Sequence, residues 1–150
     1  MVRRSQQQPW HCVYWRDPTL LRGTTVSREL DILARVEKAP MIVCDLEAVG
    51  QCSIVCGRVY PINVVIRALE PLTQVIWGSF FVLLDNVTPD DFCMLECDQR
   101  IELSEFCAKC VDNEQIYVYT QSSHVAIGLA KRHEDARSLS GTLAELPHPE

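Results

Sequence analysis

Apolar residues recur at helical spacing over one stretch near the start of the chain, then give way to runs of β-branched residues. Val26, Leu30, Leu33 and Ala34 fall on one side of a 3.6-residue repeat, while Arg28, Glu29, Arg35 and Lys38 fall mostly elsewhere. This pattern predicts a helix over 26–38, opened by Thr25 or Ser27 and stopped by Pro40. Ahead of it, residues 10–15 hold Trp10, Tyr14 and Trp15 and read as a short strand that anchors the chain start. His11 and Cys12 are adjacent and would face opposite ways on that strand.

From 41 to 87 the pattern predicts strands, at 41–44, 53–60, 62–66 and 75–84, because Val and Ile dominate these runs. Pro61 belongs at a sheet edge or bend. Thr88-Pro89 is a helix entry, and a turn of helix over 92–97 would put Cys93 and Cys97 on one face. Residues 115–119 and 124–129 alternate and are joined by Gln121-Ser-Ser123, which predicts a hairpin. The sum is an α+β single domain with an N-terminal helix and a mostly antiparallel sheet. It spans 10–130, between a flexible basic segment (1–9) and a polar, mobile, disordered C-terminal tail (131–150).

Composition narrows the class. At 150 residues with 47% apolar content, one core is expected, and a net charge of −6 disfavours a mainly electrostatic nucleic-acid binder. The charge is uneven: 1–39 is basic overall and 85–114 acidic. The most apolar run, 75–84, has about ten residues where a spanning helix needs about twenty, so no membrane span is expected. Phosphate-binding glycine loops are absent, and His133-Glu134 lacks the rest of a zinc-protease motif. An enzyme is the minority expectation.

Eight cysteines then become the main chemical feature. No secretory leader is expected from 1–10, so the thiols read as reduced and the clusters as metal-binding. Cys93, Cys97, Cys107 and Cys110 form a CxxxC and a CxxC pair, a spacing suited to four thiolates on one Zn²⁺ that stabilises the fold. Cys52 and Cys56 are alternates for half of this site, and His124 or His133 are further candidates. A redox or nucleophilic role for Cys107 or Cys110 is a rival reading, as a thiol-dependent enzyme. A second rival is an RNA-binding module using Arg3, Arg4, Trp10, Trp15 and Arg28, the tryptophans stacking on bases.

In size, in Cys107-Ala-Lys-Cys110 with its acidic neighbours, and in its polar tail, the chain resembles the small cysteine-rich accessory proteins of plant RNA viruses, of the sobemovirus P1 type. Cys93-x-x-x-Cys97 departs from the second CxxC pair of that pattern. The resemblance implies a non-enzymatic zinc-binding interaction protein that suppresses host RNA silencing and aids virus movement. It implies host proteins as partners, with RNA as a possible one, in the host cytoplasm or nucleus.

Overall fold

A computed structural model describes residues 8–34, 39–85 and 87–149. The fold is α+β. Among the described residues, seven strands form one antiparallel sheet: β1 (Trp10–Arg16), β2 (Pro40–Val49), β3 (Val59–Pro61), β4 (Gln74–Leu83), β5 (Ser104–Val111), β6 (Gln115–Thr120) and β7 (Arg137–Gly141). Their order is β3-β2-β4-β5-β6-β1-β7. Three helices, α1 (Gly23–Leu33), α2 (Ile62–Leu69) and α5 (Ser123–Arg132), carry Val26, Leu30, Val65, Leu69 and Leu129 into one core with Phe80, Val82, Ala108 and Val118. Two short helices, α3 (Pro89–Cys93) and α4 (Cys97–Glu102), lie over a second core. There Phe92, Ile101 and Leu146 meet Ile42, Phe81, Cys107, Tyr119 and Cys12.

The sheet is therefore buried on both faces at its centre, and strand alternation decides which core receives each residue. Ile42, Phe81, Cys107, Tyr119 and Cys12 stand in one transverse row of the second face. The next row on that face is Cys44, Ser79, Lys109, Tyr117 and Tyr14. Tyr14 and Tyr117 stack with centroids 4.7 Å apart.

Several sequence expectations change. The predicted strand 62–66 is helix α2: Ile62, Val65 and Leu69 recur at helical spacing and are fully buried, and that burial outweighs the β preference of the branched residues. The predicted hairpin arm 124–129 is helix α5, because Ser122 Oγ accepts from the Val125 N–H as an N-cap and Ala126 and Leu129 bury one side. Residues 53–57 are loop, and Pro61 does sit on an edge strand. Helix α1 starts three residues early, at Gly23, and ends at Leu33; Pro40 opens β2 rather than stopping a helix, and residues 35–38 lie outside the described set. Positions 137–149, read as a disordered tail, carry β7 and a 3₁₀ turn over Leu143–Glu145. That segment is tied down by buried Leu146 and by the Tyr119 hydroxyl donating to the Pro147 carbonyl. Of the basic start, residues 1–7, with Arg3 and Arg4, lie outside the described residues.

The start of α1 rests on the end of α2. The Gly23 N–H donates to the Leu72 carbonyl at 3.0 Å, and a Cβ at Gly23 would lie 1.8 Å from the Leu69 carbonyl oxygen. Backbone cannot yield as a flexible side chain can, so a methyl group there forces the helices apart. Gly23→Ala is expected to lower the unfolding free energy by at least about 2 kcal/mol in urea denaturation, as overpacking does. Gly128→Ala, where a Cβ meets nothing within 4 Å, is the matched control and should be neutral or stabilising.

Candidate functional site

The two cysteines of the CxxC sequence lie in β5, an extended strand rather than a tight turn. An offset of three on a strand sends side chains to opposite faces. Cys107 enters the second core and Cys110 the first. Cys93 closes α3 and Cys97 opens α4, so they share no helical face. Cys93 Sγ lies 3.8 Å from the Gly57 carbonyl oxygen, Cys52 Sγ 3.6 Å from the Ala68 carbonyl oxygen, and Cys56 is exposed. His124 is exposed at the start of α5, and His133 stacks on Trp15 at 3.9 Å on the first face. Among the described residues, no three His, Cys, Asp or Glu side chains are placed to share an ion. The proposed tetrathiolate does not fit this arrangement, because the sheet lies between two of its ligands.

The interior thiols are held protonated. Burial pushes Cys12 up to about 12, against a hydrogen bond with Tyr119 and the nearby Lys109 charge. Burial likewise takes Cys44 to about 12, opposed by Arg100, and Cys110 to about 12 with no opposing group. Cys107 is raised well above its ordinary value by burial. Thiolates are the nucleophiles and metal ligands, and Cys107 and Cys110 are packed in the two cores as small apolar residues are. The base-stacking expectation meets a similar fact: Trp10 and Trp15 are buried, one in each core, while Arg28 is exposed.

What the fold does bring together is Cys97, Lys109 and Arg100. They line a cavity of about 250 Å³ on the second face, with Asp45, Trp77 and Pro149. Lys109 is the central residue of its row and only 6% exposed. Its Nζ donates to Cys97 Sγ at 2.5 Å and lies 5.7 Å from the centroid of the Tyr119 ring. Arg100 reaches in from α4: one terminal nitrogen donates to the Cys93 carbonyl at 2.8 Å, and the guanidinium stands 5.9 Å from the Phe92 ring. Its Nε is buried without a hydrogen-bond partner. Asp45 stands exposed at the rim with φ 54°, in the stretch where β2 slips register against β4. Asp tolerates this left-handed backbone, and such bulges re-aim side chains.

Charge is thus unevenly met. Two cationic side chains enter the cavity, one of them wholly within the protein, and the lining carboxylate is a solvent-exposed one. A buried ammonium requires a counter-charge or strong hydrogen bonds. Here a thiol and an aromatic face stand in that place. Lys109 could have been found in the sequence only by reading 104–111 as a buried strand, since the CxxC pattern makes it look like a spacer.

Comparison with known proteins adds no relative. No family model, curated protein or solved structure matches this chain.

The thiol environments predict a particular alkaline behaviour. An unfolded thiol ionises near 9.0, while Cys12, Cys44 and Cys110 hold their protons to about 12 in the fold. Between those values the unfolded chain binds fewer protons, so stability is fully present below pH 9 and falls as pH rises towards 12. Each thiol contributes up to about 1.4 kcal/mol per pH unit in that window. Denaturation midpoints measured from pH 7 upward should drop beyond pH 9, and alkylation of the native protein should label Cys56 and Cys97 while sparing these three and Cys107.

Proposed function

We propose that this chain is a non-enzymatic binding protein whose ligand is a small anion, held by Lys109 and Arg100 in the cavity over the second sheet face. One observation carries the reading: a lysine buried in the middle of a sheet, with a thiol rather than a carboxylate as its hydrogen-bond partner, opens on a cavity together with the Arg100 guanidinium. A buried ammonium without a counter-charge calls for one, and two positive groups select a negative occupant. The volume suits a small oxyanion or carboxylate rather than a nucleotide, being below the usual range of drug-sized sites. The burial of Cys107 and Cys110 favours binding over a thiol enzyme built on those two positions. An accessory protein of the kind the resemblance implies also acts by binding, and the cavity is in keeping with that class.

The test uses inorganic phosphate and acetate as separate probes in calorimetric titration and thermal melting at low ionic strength. Either anion should bind and raise the melting temperature of the wild-type protein. Lys109→Met should weaken that binding at least about tenfold, a loss of about 1.4 kcal/mol. The same change should leave the melting temperature without ligand equal or higher, because an apolar side chain of similar length removes the desolvation cost of a buried cation. Absence of heat and of a melting shift with both anions would overturn the reading, and so would equal binding by Lys109→Met.

A further inference from the structure

The same cavity contains a thiol that anion binding does not use. Cys97 is exposed, at the first position of α4, while the nitrogen that touches its sulfur belongs to a side chain locked inside the sheet. The sulfur is therefore reachable by a dissolved oxidant, and the nitrogen cannot swing away. Of the other thiols, Cys107 and Cys12 are wholly buried in the adjoining row, Cys44 is buried two strands away at the end of the row that holds Lys109, Cys110 lines the cavity but belongs to the first core, and Cys93 makes its polar contact with Gly57. Among the described residues, Lys109 makes its hydrogen bond to this thiol alone.

We propose that Cys97 and Lys109 form an oxidant-driven modification site, at which peroxide converts the pair into a covalent sulfenamide. In the first step the Cys97 sulfur attacks one oxygen of hydrogen peroxide. The O–O bond breaks, the sulfur is oxidised by two electrons to sulfenic acid, and the peroxide is reduced to water. In the second step the Lys109 nitrogen, having released one proton to solvent, attacks that sulfur. The S–N bond forms, the S–O bond breaks, and hydroxide leaves with the second nitrogen proton as water. In total, thiol, ammonium and one peroxide give sulfenamide, two waters and one proton. Condensation of sulfenic acid with a nearby nitrogen is an established branch of cysteine oxidation, and it is reversed by thiols. Proximity makes the second step intramolecular, which protects the sulfur from further oxidation.

Closing the link removes the Lys109 charge from the cavity and ties β5 to α4 at the cavity floor. Loss of anion binding on oxidation follows, and this part rests on the function proposed above. The link itself does not.

The experiment treats the full chain with hydrogen peroxide and maps its peptides by mass spectrometry without reduction. The expected product is a Cys97–Lys109 linked peptide about 2 Da lighter than its reduced components, restored by dithiothreitol. Mapping separates it from a disulfide, which has the same mass change. Lys109→Arg should abolish the link and let Cys97 run on to sulfinic acid, a gain of about 32 Da. Three results would overturn the proposal: sulfinic acid at Cys97 in the wild type with Lys109 free, a disulfide from Cys97 to another cysteine, or a linked peptide about 14 Da heavier than the reduced one, in which oxygen remains between sulfur and nitrogen. Phosphate titration of the linked protein completes the test. Binding that persists after linking refutes the regulation. A linked peptide from protein that never binds phosphate or acetate upholds the link and refutes the anion function.

Discussion

Strands β4, β5 and β6 lie between two apolar layers, and this constraint governs the rest of the molecule. In a sheet with one wet face, a polar residue can always be turned outward. Here alternation offers each residue of β5 a choice of two cores: Phe106, Ala108 and Cys110 enter one, Cys107 and Val111 the other. Lys109 cannot escape to solvent by alternation, so its charge must be managed where it lies. The short helices over the second face follow from this. Helix α4 supplies Cys97 against the lysine, and Ser104 at the start of β5 donates back to the Ile101 carbonyl at 2.7 Å, fixing α4 to the strand it serves.

The legible parts of the sequence were those with a local signature. The anchor strand at Trp10–Arg16, the runs within β2 and β4, the helix around Val26–Leu33 and the Thr88-Pro89 helix entry all declare themselves through spacing or a breaker. Strand β5 did not, because its cysteines invite a metal-turn reading and its most informative residue is a lysine. In a turn, a CxxC spacing brings sulfurs together; in a strand it separates them by the thickness of the sheet. The same ambiguity misplaced 62–66 and 124–129, where apolar residues at short spacing fit either period and only tertiary burial chose the helix. The site was half visible: Cys97 was named, but as a zinc ligand beside Cys93, Cys107 and Cys110 rather than as the hydrogen-bond partner of Lys109. Its neighbour across the cavity depends on pairing between β4, β5 and β6 and on the docking of α4, and no local pattern encodes that register.

The first face shows how this fold handles a buried carboxylate that has a cationic partner. Glu29 on α1 is buried, and its two carboxylate oxygens pair with Arg132 at 2.6 Å and with His133 at 3.0 Å, where α5 ends. Cationic residues in the last turn of α5 also suit the helix dipole. Trp15 closes the cluster by stacking on the His133 ring. The Glu29 carboxylate is met by the Arg132 guanidinium and faces the His133 ring, and the cluster joins α1, α5 and β1.

The second face is built differently, and the difference is geometric before it is electrostatic. Its helices have five and six residues, against eight to eleven on the first face, so they cannot roof the row that runs through Lys109. The remaining cover comes from the segment after β7, held by the Tyr119 hydroxyl on the Pro147 carbonyl and by His148 stacked parallel on the Tyr119 ring at 5.6 Å. A roof assembled from short pieces leaves gaps between them, and the gap here falls over Lys109, the one buried ammonium among the described residues. Were that lysine an apolar residue, the desolvation cost of the cation would vanish, and so would the reason for an ion to enter the gap. With lysine and Arg100 beneath it, the gap is lined by two cationic side chains, and on the function proposed above it is the place where an otherwise costly charge is neutralised. On this argument the polar residue and the incomplete roof depend on each other, and replacing either alone should leave the other without a physical reason.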